Sequence, residues 1–252
     1  MRVINRPSLL FVVALAIFSS STIAILRAQK QGAKTSNQIT DEASQFPIVD
    51  FYTPEELDAS KREKREKKSK KYDKPVMEVD ERLVSISMFA PWGADLSALP
   101  VDKSVAIIVG QITDRAAYLS TDKTNVYSEV TVSIEKVLMN SSGVTLAIGD
   151  SIAVERDGGR VRFPSGHITF ARIPGQGMPL LGRRYVLFLT HKFPLSGVQE
   201  KDLYIQTGYE LRDGKVFPLD YPSSKSPLSV TYKGADEATL MNDLLAAIQK
   251  SQ

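Results

Sequence analysis

Between Ser104 and Thr190 the chain is a succession of short β-forming runs, and this stretch sets what the rest can fold into. Val105–Ile112 is apolar at nearly every position, the pattern of a strand covered on both faces. The next run alternates: Val126, Val130, Val132 and Ile134 share one face, and Glu129, Thr131, Ser133 and Glu135 the other. Asn140–Gly143 and Gly149-Asp150 are turn sequences, and Pro164-Ser165-Gly166 turns the chain into HITFARI. Asp157-Gly158-Gly159 is a hairpin signal that would join IAVER to RVRF. Arg184–Thr190 is a second continuous apolar strand; Leu203–Leu211 alternates, and Asp213-Gly214 turns it back into Lys215–Phe217. Short strands so punctuated predict a mainly β domain over residues 104–220, a small antiparallel OB-like barrel or sandwich.

The flanks are different in kind. Residues 221–252 predict a loop with Pro222 and Pro227, then a C-terminal helix capped by Asp236. Its Leu240, Met241, Leu244, Leu245 and Ile248 form an apolar stripe that would pack on the β domain and cover an open face or edge. At the other end, residues 1–28 read as an export signal. Arg2 and Arg6 precede an apolar span from Leu9 to Leu26, with small residues that permit cleavage after Ala24 or Ala28. Left uncleaved, the same span is long enough to serve as an anchor. The bulk of the chain is therefore expected outside the cytoplasm, periplasmic or extracellular.

Residues 29–80 predict a flexible spacer carrying a charged helix. The helix would open at Thr53-Pro54-Glu55-Glu56 with Thr53 as N-cap, and beyond Leu57 it has no apolar stripe to pack. Residues 81–103 form a linker with one short strand at Leu83–Met88 and the single tryptophan, Trp92, read as a loop aromatic over one end of the core.

Charge is concentrated in one place. Lys61–Lys74 holds nine Lys/Arg and three Asp/Glu, a net of +6 against +3 for the whole chain, so the remainder carries −3. A domain with that balance is not a basic one, and nucleic acid is not an expected partner. Lys61, Arg62, Lys64, Arg65, Lys67, Lys68, Lys70 and Lys71 have two readings, a tether to an anionic membrane surface or polymer and a solvated spacer; the second is the expectation.

The inventory of reactive groups is short. No cysteine is present, which excludes disulfides, thiolate metal sites, iron–sulfur clusters and thiol nucleophiles, and two histidines exclude a His-rich metal site. No nucleophile elbow, zinc-protease helix, phosphate loop or dinucleotide fingerprint occurs. Ser165 and His167 are neighbours in a turn and do not align as nucleophile and base, and His191 just past a strand end reads as an ordinary rim histidine. Glu129 and Glu135 lie roughly 20 Å apart along a strand, too far for a carboxylate pair, and read as a solvated face. The sequence thus predicts no catalytic residue, no metal and no cofactor.

One cluster suggests a surface task. Arg160 and Arg162 share a strand face, and hairpin pairing would bring Arg156 or Arg172 alongside them. Converged, these four arginines, with Arg183 and Arg184 nearby, would make a patch for carboxylates, phosphates or acidic polysaccharide. Dispersed, they would be surface arginines paired with acids such as Glu155 and Asp157. Tyr127, Phe163 and Phe170 would either add stacking surfaces or belong to the core.

The order AIIVGQIT, VTVSIEKVL, GDSIAVER, PLLGRRYVLFL resembles the strand series of netrin/TIMP-like OB-fold modules, and of uncharacterised exported bacterial proteins with the same series. The likeness spans residues 104–217. It implies a fold alone, because netrin/TIMP modules rely on disulfides, TIMP inhibition uses an N-terminal cysteine, and this chain has no cysteine. The expectation is an exported, non-enzymatic β-barrel module that binds a cell-envelope component or a protein partner. An envelope hydrolase or transferase of unrecognised type, and a structural or assembly protein, are the alternatives.

Overall fold

The computed structural model describes residues 44–53, 57–73, 85–87, 95–192 and 202–251, with backbone alone for 85–87. The export signal, Pro54–Glu56 and Trp92 lie outside these residues. Ten strands are described: β1 Ile48–Asp50, β2 Ser85–Ser87, β3 Ala106–Leu119, β4 Val126–Asn140, β5 Ser151–Asp157, β6 Gly159–Arg162, β7 Ile168–Arg172, β8 Arg184–His191, β9 Leu203–Arg212 and β10 Lys215–Pro218. Three helices accompany them, α1 Ala59–Lys70, α2 Pro227–Val230 and α3 Glu237–Ser251. The chain is mainly β with a C-terminal helix, as its periodicity predicts.

The larger sheet runs β10-β9-β5-β4-β3-β8, and β9 pairs again with β8. Its pairings return on themselves: β3, β4 and β5 form an antiparallel meander, β8 pairs antiparallel with β3, and β9 pairs antiparallel with β8 and parallel with β5. Strand β3 is buried on both faces over Ala106–Val109, as its unbroken apolar run requires. Ile107 and Val109 meet Val186, Phe188, Tyr209 and Val216, together with Leu240, Leu244 and Ile248 of α3. The helix stripe is narrower than its sequence suggests, with Leu245 left largely exposed. Register shifts at Val109/Gly110 bend β3 against β4. Gly110 sits at that bend because a Cβ there would lie 2.5 Å from the Ser133 carbonyl oxygen.

The smaller sheet, β1-β6-β7-β2, is a hairpin with one three-residue strand added in parallel to each edge. The Pro164–Gly166 turn closes the hairpin, with Gly166 N–H donating to Phe163 O at 2.8 Å. Val49, Ala117, Val126, Val161, Phe163 and Ala171 make a second apolar cluster beneath it.

Four expectations change. Asp157-Gly158-Gly159 is not a hairpin: β5 belongs to the larger sheet and β6 to the smaller, and the glycines form a corner between them. Gly158 has φ of 99°, its N–H donates to Val126 O at 2.9 Å, and a Cβ at Gly159 would meet Val126 at 2.6 Å. The polar stretch Thr113–Thr124, whose composition reads as a loop with an extended portion around Ala117–Ser120, instead continues β3 as far as Leu119 by pairing with β4. The expected flexible spacer of residues 29–80 is folded in two of its parts, since β1 pairs with β6 and α1 packs on the β domain. Phe46 is buried there with its ring 4.7 Å from that of Phe170. Finally, α1 opens at Ala59, where the Asp58 carboxylate caps it by accepting from Ser60 N–H and Lys61 N–H; Thr53 instead donates its hydroxyl to Asp50 O. The short strand expected at Leu83–Met88 is present as β2.

Candidate binding face and cleft

Helix α1 carries little aliphatic surface, yet one side of it is held tightly. Positions 65, 68, 69 and 72 recur at helical spacing and face β4 and β5. Arg65 grips the Glu129 carboxylate in a two-pronged contact of 2.8 and 3.1 Å, and Lys68 reaches the same carboxylate at 2.9 Å. The Arg65 guanidinium also lies 3.5 Å over the Tyr118 ring. Ser69 Oγ is 3.2 Å from the Tyr127 hydroxyl, and Tyr72 is fully buried with its ring stacked on Tyr127 at 4.0 Å and 3°.

The surface beneath the helix is acidic and aromatic. Glu129 and Glu155 are register partners on β4 and β5, and Glu155 in turn pairs with Tyr204 of β9. Tyr72 donates its hydroxyl to Glu155 Oε2 at 2.8 Å, Lys71 Nζ stands 3.5 Å from Oε1, and Lys71 also binds Asp202. Burial alone would raise the Glu129 carboxyl, but Arg65 and Lys68 override it and hold it below its ordinary range. Burial and the neighbouring Glu155 charge push the Tyr72 phenol well above its ordinary value, fixing it as a neutral donor.

Beside this face, where β5 ends and β9 begins, Asp157 accepts from Lys192 Nζ at 2.8 Å and from the Tyr204 hydroxyl at 2.9 Å. Gln176 Nε2 donates to the Tyr204 hydroxyl at 2.9 Å. Burial and the Asp157 charge hold the Tyr204 phenol well above its usual range. An open cleft of about 640 Å³ adjoins this group, with Lys103, Ser104, His191, Lys192 and Gln206 among its walls. His191 is buried rather than on an exposed rim, its ring nitrogens 3.2 Å from Ser142 O and 3.4 Å from Asp202 O. Among the described residues no three Asp, Glu or His side chains are grouped to hold a metal ion.

The four arginines expected to form one patch are divided. Arg156 points into the interior without solvent exposure, paired with Asp220 and donating to Gly177 O and Ile205 O. Arg160 donates to Phe46 O at 2.8 Å, whereas Arg162 lies outside and pairs with Asp50 across β1. Arg172 lies 5.6 Å over the Phe170 ring. Burial lowers the Arg160 pKa, and the charge of the neighbouring Arg162 lowers it further. Arg184 is committed to Glu135 at 2.9 Å, and Phe163 and Phe170 are core.

The polybasic residues divide likewise. Arg65, Lys68 and Lys71 engage carboxylates of the β domain, while Lys61, Arg62, Lys64, Lys67 and Lys70 are on the exposed side. Glu129, read as part of a solvated face, is the anchor of the helix, with a side chain 12% exposed. Sequence reasoning missed Lys192 and Tyr204, and took Glu155 and Asp157 only as surface partners for arginines. The available signal was the spacing of Arg65, Lys68, Ser69 and Tyr72, a stripe whose apolar surface is alkyl stems and one ring.

Compared with known proteins, the chain matches no family model, no curated protein and no solved structure.

Proposed function

We propose that this chain is an exported, non-enzymatic binding module built on an OB-type barrel, and that its recognition surface is the acidic, tyrosine-rich outer face of β4 and β5. The antiparallel meander β3–β4–β5, the return of β8 to β3 and the parallel β5–β9 pairing support the barrel reading. A face on two adjacent barrel strands is where such barrels take extended partners.

The observation that carries the reading is the grip on α1. Glu129, Glu155 and Asp202 bind Arg65, Lys68 and Lys71 while Tyr127 stacks on Tyr72, so the surface is complementary to a basic segment ending in an aromatic residue. Its carboxylates are engaged by cations or phenols, which favours recognition over acid–base chemistry. The partner is accordingly a cationic, aromatic-bearing segment of a protein, for which α1 is the internal occupant. This reverses the charge preference that four converging arginines would have given.

The test uses the full chain carrying Arg65→Glu and Lys68→Glu, which weakens the internal occupant, and a synthetic peptide of residues 57–73 added in trans. The peptide should bind this variant, shown by chemical-shift changes at Tyr127 and Glu155, and adding Glu129→Lys should abolish binding. Equal binding with and without Glu129→Lys, or no binding to the double variant, overturns the reading. Fractionation of cells with N-terminal sequencing tests export, which a full-length chain retained in the cytoplasm would contradict.

A further inference from the structure

A lysine ammonium group sits between two aromatic rings and a carboxylate at the mouth of the cleft. Lys192 Nζ is 3.5 Å from the centre of the Tyr72 ring, 5.1 Å from that of Tyr204, and 2.8 Å from Asp157 Oδ1. Ring faces attract cations through their quadrupole, and a carboxylate adds a charge-assisted hydrogen bond. The group held in this geometry is a primary ammonium, a compact point charge with three rotatable donors.

The enclosure is built independently of its occupant. Tyr204 is anchored at its hydroxyl by Asp157 and Gln176, at 2.9 Å each. Tyr72 is anchored by Glu155 and by stacking on Tyr127. Tyr72, Tyr204 and Asp157 are 0%, 4% and 5% exposed, and they come from three separate segments, the turn after α1, the start of β9 and the end of β5. Lys192 lies one residue past β8, with a side chain 21% exposed, and together with Asp157, Tyr204 and Gln206 it lines the cleft. Gln206 Oε1 is buried there with no hydrogen-bond partner among the described residues, an acceptor for a further N–H.

We propose that Tyr72, Tyr204 and Asp157 form a cage for a primary alkylammonium group, and that a ligand amine enters from the cleft by displacing Lys192, which fills the cage from within. The cage shares Tyr72 with the grip on α1 and is complete with α1 in place, its ligand entering from the cleft rather than replacing the helix. A tethered lysine competes at high effective concentration, so an added amine binds the native chain weakly and binds strongly once Lys192 is removed. The amine is either a small free molecule or the side chain of a peptide lysine, and the two share the same cage chemistry.

Lys192→Ala deletes a propylammonium fragment and leaves its space open to the cleft. The full-length variant and the wild-type chain are melted in n-propylammonium chloride, in sodium chloride of equal ionic strength, and in n-propanol. Lys192→Ala should melt several degrees lower than wild type, and n-propylammonium alone should recover most of the loss while hardly moving wild type. The recovery should vanish in Lys192→Ala/Asp157→Asn. An identical shift in wild type and Lys192→Ala, or no shift in Lys192→Ala, overturns the proposal. A parallel arm with the tripeptide Gly-Lys-Gly separates the sources: a larger shift than n-propylammonium assigns the site to peptide lysine, a smaller one to free amines. Should Lys192→Ala fail to fold unaided, refolding yield is read with and without n-propylammonium, and no gain overturns the proposal. Failure of the α1 peptide to bind in trans, with amine recovery intact, would remove the face reading and leave the cage standing.

Discussion

Arg156 and Asp220 meet inside the domain with both side chains fully shielded from solvent, joining the end of β5 to the segment after β10. Arg156 also donates to the carbonyls of Gly177 and Ile205, and Asp220 accepts from Gly177 N–H at 2.8 Å. The guanidinium thus gathers three connections around one charge. Removing one member of a buried pair strands the other, at a cost of about 3–5 kcal/mol. Arg156→Met should lower the free energy of urea unfolding by that order, and Arg156→Met/Asp220→Leu should cost less than the two single changes combined. An Arg156 serving as a surface ligand contact would leave unfolding unchanged.

Gly177 is wedged beside this pair. A Cβ there would stand 2.0 Å from the Leu219 carbonyl oxygen, with backbone on both sides of the clash. Gly177→Ala should therefore destabilise the chain by more than the ~1 kcal/mol expected when a glycine is lost only for its left-handed φ. Gly182, at φ 76° with open space around it, is the matched control. Thermal melts of the two alanine variants side by side make the comparison.

Tyr72 is the one large buried ring at the end of α1, between Tyr127 and the Lys192 ammonium. Tyr72→Ala should cost about 3–5 kcal/mol, the range for emptying an aromatic site. Amide exchange in α1 should then accelerate ahead of exchange in β4. Lys70→Ala, on the exposed side of the same helix, should shift stability by under about 0.5 kcal/mol.

The α1 anchor carries a pH signature. Burial would raise the Glu129 carboxyl, but Arg65 and Lys68 bring it below its ordinary 4.5. Asp202 is likewise lowered from 3.8, against burial, by Lys71. A carboxyl with a depressed folded pKa binds its proton more weakly in the folded state, so its stabilisation is full above the ordinary value and disappears as pH falls through the lowered one. Stability measured by chemical unfolding should decline as pH drops below 4.5. Glu129→Gln should be less stable near neutrality and should flatten that decline. An unchanged slope in Glu129→Gln would mean that other carboxylates carry it.

Much of this architecture can be read from the residues. Val105–Ile112, the Val126–Ile134 alternation, the Asp213-Gly214 turn and the Leu240–Ile248 stripe each carry their period within a few residues, and each folds accordingly. What escaped depends on distance. A hairpin turn and a corner between sheets both ask for glycine, so Asp157-Gly158-Gly159 could not declare which it was. Ile48–Asp50 is too short to show a period, and its partners Arg160–Arg162 lie over a hundred residues away. The inward side of α1 is written in arginine, lysine, serine and tyrosine, and only the carboxylates on β4 and β5 turn that stripe into a packed face. Arg156 carries the same formal charge as Arg162, and nothing local to it says that one is buried and the other exposed.

The two parallel edge strands place a clock on the folding of the chain. Ile48–Asp50 and Ser85–Ser87 leave the ribosome long before the β6–β7 hairpin they flank has been translated. Made before their partners, they wait for them, and closing so large a loop is an entropic cost met only after the hairpin stands. Order of synthesis and order of folding therefore run in opposite directions across the smaller sheet, so Ile48–Asp50 and Ser85–Ser87 stay unpaired until β6 and β7 have emerged behind them.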